Sequence, residues 1–153
     1  MQLGTATGIA GGIANIRNVF GSAGNDILVG NGDNVLSGGL GRDLLIAGAS
    51  ASSLDGGADD DILIGGTTNF DTNQVALNAI MTEWARTDIG YDTRVANLQS
   101  GANGVPALNA TTVHSNGRAN QLSGGTGRDL FFASLASELI DRDSLTEEWI
   151  VIV

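Results

Sequence analysis

GGLGRDLLI, residues 38–46, places three glycines in four positions, follows them with one acid and then runs into apolar residues. The stretch is not alone: GSAGNDILV stands at 21–29, GGADDDILI at 56–64 and GGTGRDLFF at 124–132. Glycine reaches positive φ without penalty and so supplies a turn. The three residues after the acid, with a large apolar one in the middle, supply a short strand. So short a strand cannot stand alone, but stacked frames can pair strand on strand at ~4.8 Å. The sequence therefore reads as a repeat fold.

In nine-residue frames, 12–64 becomes GIANIRNVF, GSAGNDILV, GNGDNVLS (one residue short), GGLGRDLLI, AGASASSLD and GGADDDILI. Val19, Leu28, Leu36, Leu45, Leu54 and Leu63 fall at the strand centres and are expected to line one thin interior. Two frames make one coil, which gives the coil two edges. Turns on edge A carry Asp26, Asp43 and Asp61 at the acid position, whereas turns on edge B carry Arg17, Asn34 and Ser52. Stacked carboxylates repel, so edge A is expected to need cations. Edge B is expected to close by hydrogen bonds among Asn, Ser and backbone, with Asp33 beside Asn34 the one hint of metal there.

The frames resemble the RTX, or haemolysin-type, calcium-binding repeat, G-G-x-G-x-D-x-U-x with U a large apolar residue. GGLGRDLLI and GGTGRDLFF match every defined position. The resemblance implies an all-β fold, a parallel β-roll built as a right-handed solenoid of nonapeptide repeats. It also implies Ca²⁺ between successive turns of one edge, held by the turn Asp and main-chain carbonyls, in keeping with a hard cation that takes six or more oxygens. The candidate metal residues are Gly21, Ala23, Gly24 and Asp26 in the first turn, and Gly38, Gly39, Leu40, Gly41 and Asp43 in the second. The third turn offers Gly56, Gly57, Ala58, Asp59 and Asp61, and the fourth Gly124, Gly125, Thr126, Gly127 and Asp129. Four turns make three gaps, hence an expectation of about three Ca²⁺. Asp59 stands where Gly is expected, at a position that calls for a left-handed backbone, which Asp tolerates better than most residues.

After Ile64 the pattern stops and resumes as SNGRANQLS at 115–123 with its phase kept, Asn120 at the edge B position and Asp129 at the edge A position. The whole chain, 1–153, is thus expected to be one domain: repeats at 12–66 and 117–132, a helical insertion at 67–116 on an edge B turn, and a C-terminal β cap at 133–153. Within the insertion, Asp71 or Thr72 can cap a helix, and Leu77, Ile80, Met81 and Trp84 recur at helical spacing. A second helix is expected over YDTRVANLQS, 91–100, stopped by Gly101. The helices have a surface to cover. Outward positions after the edge A turns are Ile27, Val29, Leu44, Ile46, Ile62, Ile64, Leu130 and Phe132, too apolar for water; after edge B turns they are mostly polar, Phe20 and Val35 excepted.

Composition sets bounds. Glycine accounts for 23 of 153 residues, about double the usual ~7%. Seventeen acids against seven basic residues give a formal charge of −10, which argues against a nucleic-acid partner. Cysteine is absent, so no disulfide staples the fold. No apolar run reaches the ~18 residues of a membrane span, and the first residues lack the pattern of a secretory signal. His114 is the only histidine; without a second His or a Cys, neither a zinc site nor a nucleophile–base pair can be assembled. Asp60 and Asp61 could imitate a glycosidase dyad, but acids in register with glycine turns fit calcium better, and no enzyme is expected. The tail, with Asp141, Asp143 and the closing EEWIVIV, resembles the segment that follows the last repeat in RTX proteins and the uncleaved signals of type I secretion. The degenerate N-terminal frames suggest a start inside a longer protein. The expected role is Ca²⁺-dependent folding of a secreted or cell-surface bacterial protein; the alternative is an adhesion module that holds an anionic polysaccharide.

Overall fold

The structure, a computed structural model, describes residues 16–141 and 149–152. The frame residues 12–15, Asp143 and the acids of EEWIVIV lie outside the described residues. Two five-stranded sheets, each parallel throughout, share the chain alternately. One is built from β1 (Asn18–Phe20), β3 (Val35–Gly39), β5 (Ser53–Ala58), β9 (Gln121–Thr126) and β11 (Leu139–Asp141). The other contains β2 (Ile27–Val29), β4 (Leu44–Ile46), β6 (Ile62–Ile64), β10 (Leu130–Ala133) and β12 (Trp149–Ile152).

Register follows the repeat. Leu28 pairs with Leu45, Leu45 with Leu63 and Phe131 with Leu63, while Leu36 pairs with Leu54 and Leu54 with Leu122. These side chains meet between the sheets, where Leu36, Leu45, Leu54, Leu63, Leu122 and Phe131 are buried and Val19 and Leu28 pack at the end. A period of two puts the flanking residues of each strand on its opposite face. On the second sheet these are the apolar pairs Leu44/Ile46, Ile62/Ile64 and Leu130/Phe132, all buried. On the first sheet they are mostly polar; the exceptions, Phe20, Val35 and Ile140, are exposed.

The strands of the two sheets differ in length. β3, β5 and β9 run on into the glycines that follow, so that Gly39 pairs with Gly57 and Gly57 with Gly125. The three-residue strand of the frame is thus too short for this sheet. A glycine pair lets adjacent backbones continue the ladder through the start of the turn.

Between β6 and β9 the chain leaves the sheets through β7 (Gly66–Thr68) and returns through β8 (Val113–Ser115), an antiparallel pair. α1 (Gln74–Trp84) and α2 (Tyr91–Ser100) lie between them. Asn73 caps α1, its side chain accepting from the Ala76 N–H, so neither Asp71 nor Thr72 is the cap. Asp71 instead accepts from the N–H and hydroxyl of Thr68, a local turn bond that takes it out of competition for the helix. Gly101 ends α2 with φ 71°, the left-handed conformation that glycine reaches without a Cβ penalty. Leu77, Ile80, Met81, Trp84, Tyr91, Val95 and Leu98 form one cluster with the outward apolar residues of β4, β6 and β10. No helix among the described residues is long and apolar enough to cross a membrane.

Candidate metal centre

The ladder acids stand one above another along edge A. The Asp26 N–H donates to Asp43 Oδ1 at 2.7 Å, the Asp43 N–H to Asp61 Oδ1 at 2.7 Å, and the Asp61 N–H to Asp129 Oδ1 at 2.8 Å. One oxygen of Asp43, of Asp61 and of Asp129 therefore belongs to the backbone of the coil before it. The surroundings of the second oxygen vary along the ladder. For Asp43 and Asp61 this Oδ2 is buried and has no hydrogen-bond partner. Asp26, at the end of the ladder, differs: its Oδ2 accepts from the N–H and hydroxyl of Ser22 at 2.6 and 2.9 Å.

Each Oδ2 lies against the first glycine of its own turn. A Cβ built on Gly38 would stand 2.1 Å from Asp43 Oδ2 and 2.6 Å from the Gly56 carbonyl oxygen. On Gly56 it would meet Asp61 Oδ2 at 2.3 Å and the Gly124 carbonyl at 2.7 Å. Glycine here leaves room for a carboxylate oxygen and a carbonyl oxygen of the next coil to converge. The second glycine serves another need: Gly57 has φ 110°, and a Cβ there would meet the Gly39 carbonyl at 2.2 Å.

Burial sets the electrostatics. It pushes the Asp43 carboxyl up to about 6 and the Asp61 carboxyl up to about 9, against the N–H donor that each accepts and with smaller contributions from neighbouring acids. Repulsion between stacked acids, the force expected from sequence, is thus the lesser cause. Desolvation is the greater one, because a charged oxygen in a dry cradle has lost its water and gained only one donor.

The donor set suits a hard divalent cation: convergent oxygens, two of them orphaned carboxylate oxygens, and no sulfur or nitrogen. Among the described residues, no three of His, Cys, Asp and Glu group closely enough to hold a metal by themselves. Main-chain carbonyls must therefore supply much of any coordination. Asp43, Asp61 and Asp129 with the first glycines Gly38, Gly56 and Gly124 are buried together, and Gly21 with Asp26 is half-buried. Ala23, Gly24, Leu40 and Thr126 sit on the exposed rim, where only their backbone could contribute. Gly39, Gly41, Gly57, Ala58, Gly125 and Gly127 occupy half-buried turn positions between. Asp59 takes φ 73°, and its carboxylate accepts from the Gly41 N–H at 3.2 Å.

Edge B repeats the ladder in different chemistry. The Asn34 N–H donates to Ser52 Oγ at 3.3 Å, the Ser52 N–H to Asn120 Oδ1 at 3.0 Å and the Asn120 N–H to Glu138 Oε1 at 3.1 Å. In its two asparagines the second side-chain group is a donor. Asn34 Nδ2 reaches the Ile16 and Arg17 carbonyls, and Asn120 Nδ2 the Gly65 and Arg118 carbonyls. Asp33 is exposed.

Several contributors escape a reading by residue type. Glu138 ends the edge B ladder, its Oε2 accepting from the Ser134 and Leu135 N–H groups; its place two frames after Asn120 was the available signal. Ser22 and Arg94 carry no periodic signal at all, and Asp60 has a frame position, shared with Arg42 and Arg128, that the repeat pattern leaves undefined. His114 is exposed and bonds Asn69 Oδ1 at 2.9 Å.

A family model describing the RTX calcium-binding nonapeptide repeat (4 copies) matches residues 18–45, 37–69 and 113–141, just over half of the chain. No curated protein and no solved structure matches significantly. The unmatched interval falls on the two helices, and the matched segments contain all four acids of the edge A ladder. The chain belongs to the RTX calcium-binding repeat family.

Proposed function

We propose that the chain is a Ca²⁺-dependent folding module, a right-handed parallel β-roll of about three ions whose C-terminal strands β11 and β12 cap the solenoid as one domain. The observation that carries the reading is the pair of buried, unpartnered oxygens, Asp43 Oδ2 and Asp61 Oδ2. A bound Ca²⁺ supplies the positive charge that lets these carboxylates stay ionised out of water. Asp43, Asp61 and Asp129, with carbonyls of the glycine turns, would hold it; Asp26 is the weaker member because Ser22 already occupies its Oδ2.

Without the cation, ordering a glycine-rich chain costs backbone entropy and also buries charge. Low Ca²⁺ then leaves the chain unfolded, and Ca²⁺ at ~10⁻⁴ to 10⁻³ M, the range of extracellular modules, drives folding by mass action. Three ions would bring the formal charge from −10 to −4. Such a switch suits a segment of a larger bacterial protein exported unfolded and folded outside the cell. No catalytic role is assigned. The folding role is preferred to adhesion because Trp84, Tyr91, Phe131 and Phe132 are buried and, among the described side chains, Phe20 is the one exposed aromatic, so no aromatic row is on hand to stack on sugar rings.

The test is a far-UV circular dichroism titration of EDTA-stripped protein with Ca²⁺, with Mg²⁺ as control, on the parent and on Asp43→Ala. A coil-to-β transition with Ca²⁺ alone, weakened by the substitution, is the expected result. A stripped protein already folded and indifferent to Ca²⁺ would sink the proposal.

A further inference from the structure

The residues immediately before the last three ladder acids form a second column on edge A: Arg42, Asp60 and Arg128, alternating in sign. All three face the helical insertion. Arg42 Nη1 donates to the Arg86 carbonyl at 2.8 Å. Asp60 receives Arg94 Nη2 on its carboxylate and Trp84 Nε1 on its carbonyl, the latter at 2.8 Å. Arg128 Nη2 donates to Asp92 at 2.8 Å, and its guanidinium lies 4.1 Å over the Tyr91 ring. The Tyr91 hydroxyl donates to the carbonyl of Asp129, itself a ladder acid, at 2.7 Å.

Arg94 is the centre of this contact. It is buried, lies 4.7 Å over the Trp84 ring and 5.7 Å from the Tyr91 ring centroid, and donates to the Trp84 carbonyl. Its charge is balanced by Asp60, whose other oxygen accepts from the Arg128 N–H of the next coil. A buried cation is tolerated only with its partner in place. That partner is positioned by turn stacking: β4, β6 and β10 must be in register for Arg42, Asp60 and Arg128 to stand one strand spacing apart.

We propose that Arg94, Trp84 and Tyr91 latch the helical insertion onto the stacked turns 38–43, 56–61 and 124–129, so that helix docking and cation binding on edge A are one linked equilibrium. The inference rests on the folding reading above. Arg94 and Tyr91 act as positioning residues: they touch no cation, but fix the turns that would hold it. Linkage is reciprocal. Ca²⁺ promotes docking, and the docked helices raise Ca²⁺ affinity by holding the Asp60 and Asp129 backbone in place.

The experiment uses the full chain with Trp149→Phe, which leaves Trp84 as the sole tryptophan. Ca²⁺ is titrated into EDTA-stripped protein while Trp84 emission and acrylamide quenching are followed beside the far-UV β signal. Burial of Trp84 is expected only with Ca²⁺, at the midpoint of the β transition. Arg94→Gln should raise that midpoint at least about tenfold. Tyr91→Phe keeps the ring, removes the hydroxyl that bonds the Asp129 carbonyl and should raise the midpoint by roughly threefold to tenfold.

A β transition with Ca²⁺ in which Trp84 is already protected in EDTA would overturn the latch and leave the folding role standing. So would midpoints within twofold of the parent for both variants. Absence of any Ca²⁺-driven transition would overturn both proposals.

Discussion

Edges A and B solve the same geometric problem with opposite chemistry. On each, a side-chain oxygen accepts the backbone N–H of the coil before it, Asp43 and Asp61 on one edge, Ser52 and Asn120 on the other. What separates them is the remaining group of the side chain. Asn120 turns an amide toward the Gly65 and Arg118 carbonyls, whereas Asp61 turns a second oxygen toward the cradle of Gly56 and the Gly124 carbonyl. One amide hydrogen therefore does locally what, in the proposed reading, a cation does on edge A. On that reading edge B is complete once folded, and edge A only when loaded.

The strongest way to press this contrast is pH on the metal-free protein. Folded Asp43 and Asp61 are raised to about 6 and about 9, above the ordinary carboxylate value near 4 in the unfolded chain. Their contribution to stability is thus fully present below the unfolded value and is lost as pH rises through the folded values. In EDTA, the folded fraction read by far-UV circular dichroism should climb as pH falls from 8 to 5, with the proton that Asp61 takes up on folding shifting the folding equilibrium by roughly a thousandfold over that range. Saturating Ca²⁺ should flatten or reverse the trend. A metal-free protein most stable at pH 8 would break the comparison.

Exchange of chemistry between the edges comes next. Asn120→Asp places a carboxylate oxygen against the Gly65 carbonyl and close to Glu138 Oε1, where the amide now bridges them. The cost should be about 4 kcal/mol of stability in saturating Ca²⁺, the size expected for an uncompensated buried charge. The reverse exchange, Asp43→Asn with Asp61→Asn, should stabilise the stripped protein by about 3 kcal/mol per site while abolishing the response to Ca²⁺. Thermal melts with and without Ca²⁺ read both effects. If the double variant still needed Ca²⁺ to fold, the amide and the cation would not be equivalent.

Glycines sharpen the contrast at smaller scale. Gly38→Ala would set a Cβ 2.1 Å from Asp43 Oδ2; overpacking of this kind costs about 2 kcal/mol, and the Ca²⁺ midpoint should rise with it. Gly32, on edge B, has nothing within 4 Å of its would-be Cβ. Its Ala variant should stay within ~0.5 kcal/mol of the parent. Equal losses at the two positions would show that the edge A cradle has no special demand for space.

These differences also mark what a repeat makes legible. Residues that recur, such as the ladder acids and the column of Leu36, Leu54 and Leu122, declare themselves by spacing because each coil imposes the same environment on the same frame position. The covered sheet was equally readable, since Leu44, Ile46, Ile62 and Ile64 place apolar side chains on the face opposite the Leu45 and Leu63 core, and only another element can bury that outer face. Local rules were less secure. Asp71 is an acceptable helix cap by type, yet Thr68 captures it and leaves the role to Asn73. The continuation of β3 through Gly39 depends on a glycine of the neighbouring coil, which a frame read singly does not contain. Arg94 and Asp60 are opaque in sequence for a stronger reason: they meet only when an irregular segment folds back on the regular one.

The short pair β7–β8 gives that irregular segment a further meaning. Gly66 pairs with Ser115 and Thr68 with Val113, so the chain leaves and rejoins the sheets at adjacent points with the coil count undisturbed. Closing a longer excursion across a fixed gap costs only about 0.6 kcal/mol for each doubling of its length. Such a doorway makes the repeat array a chassis: the chain departs at an edge B corner, spends two helices covering the outer face of a sheet, and re-enters with β10 in register on β6, so that Asp61 and Asp129 on the far edge remain neighbours.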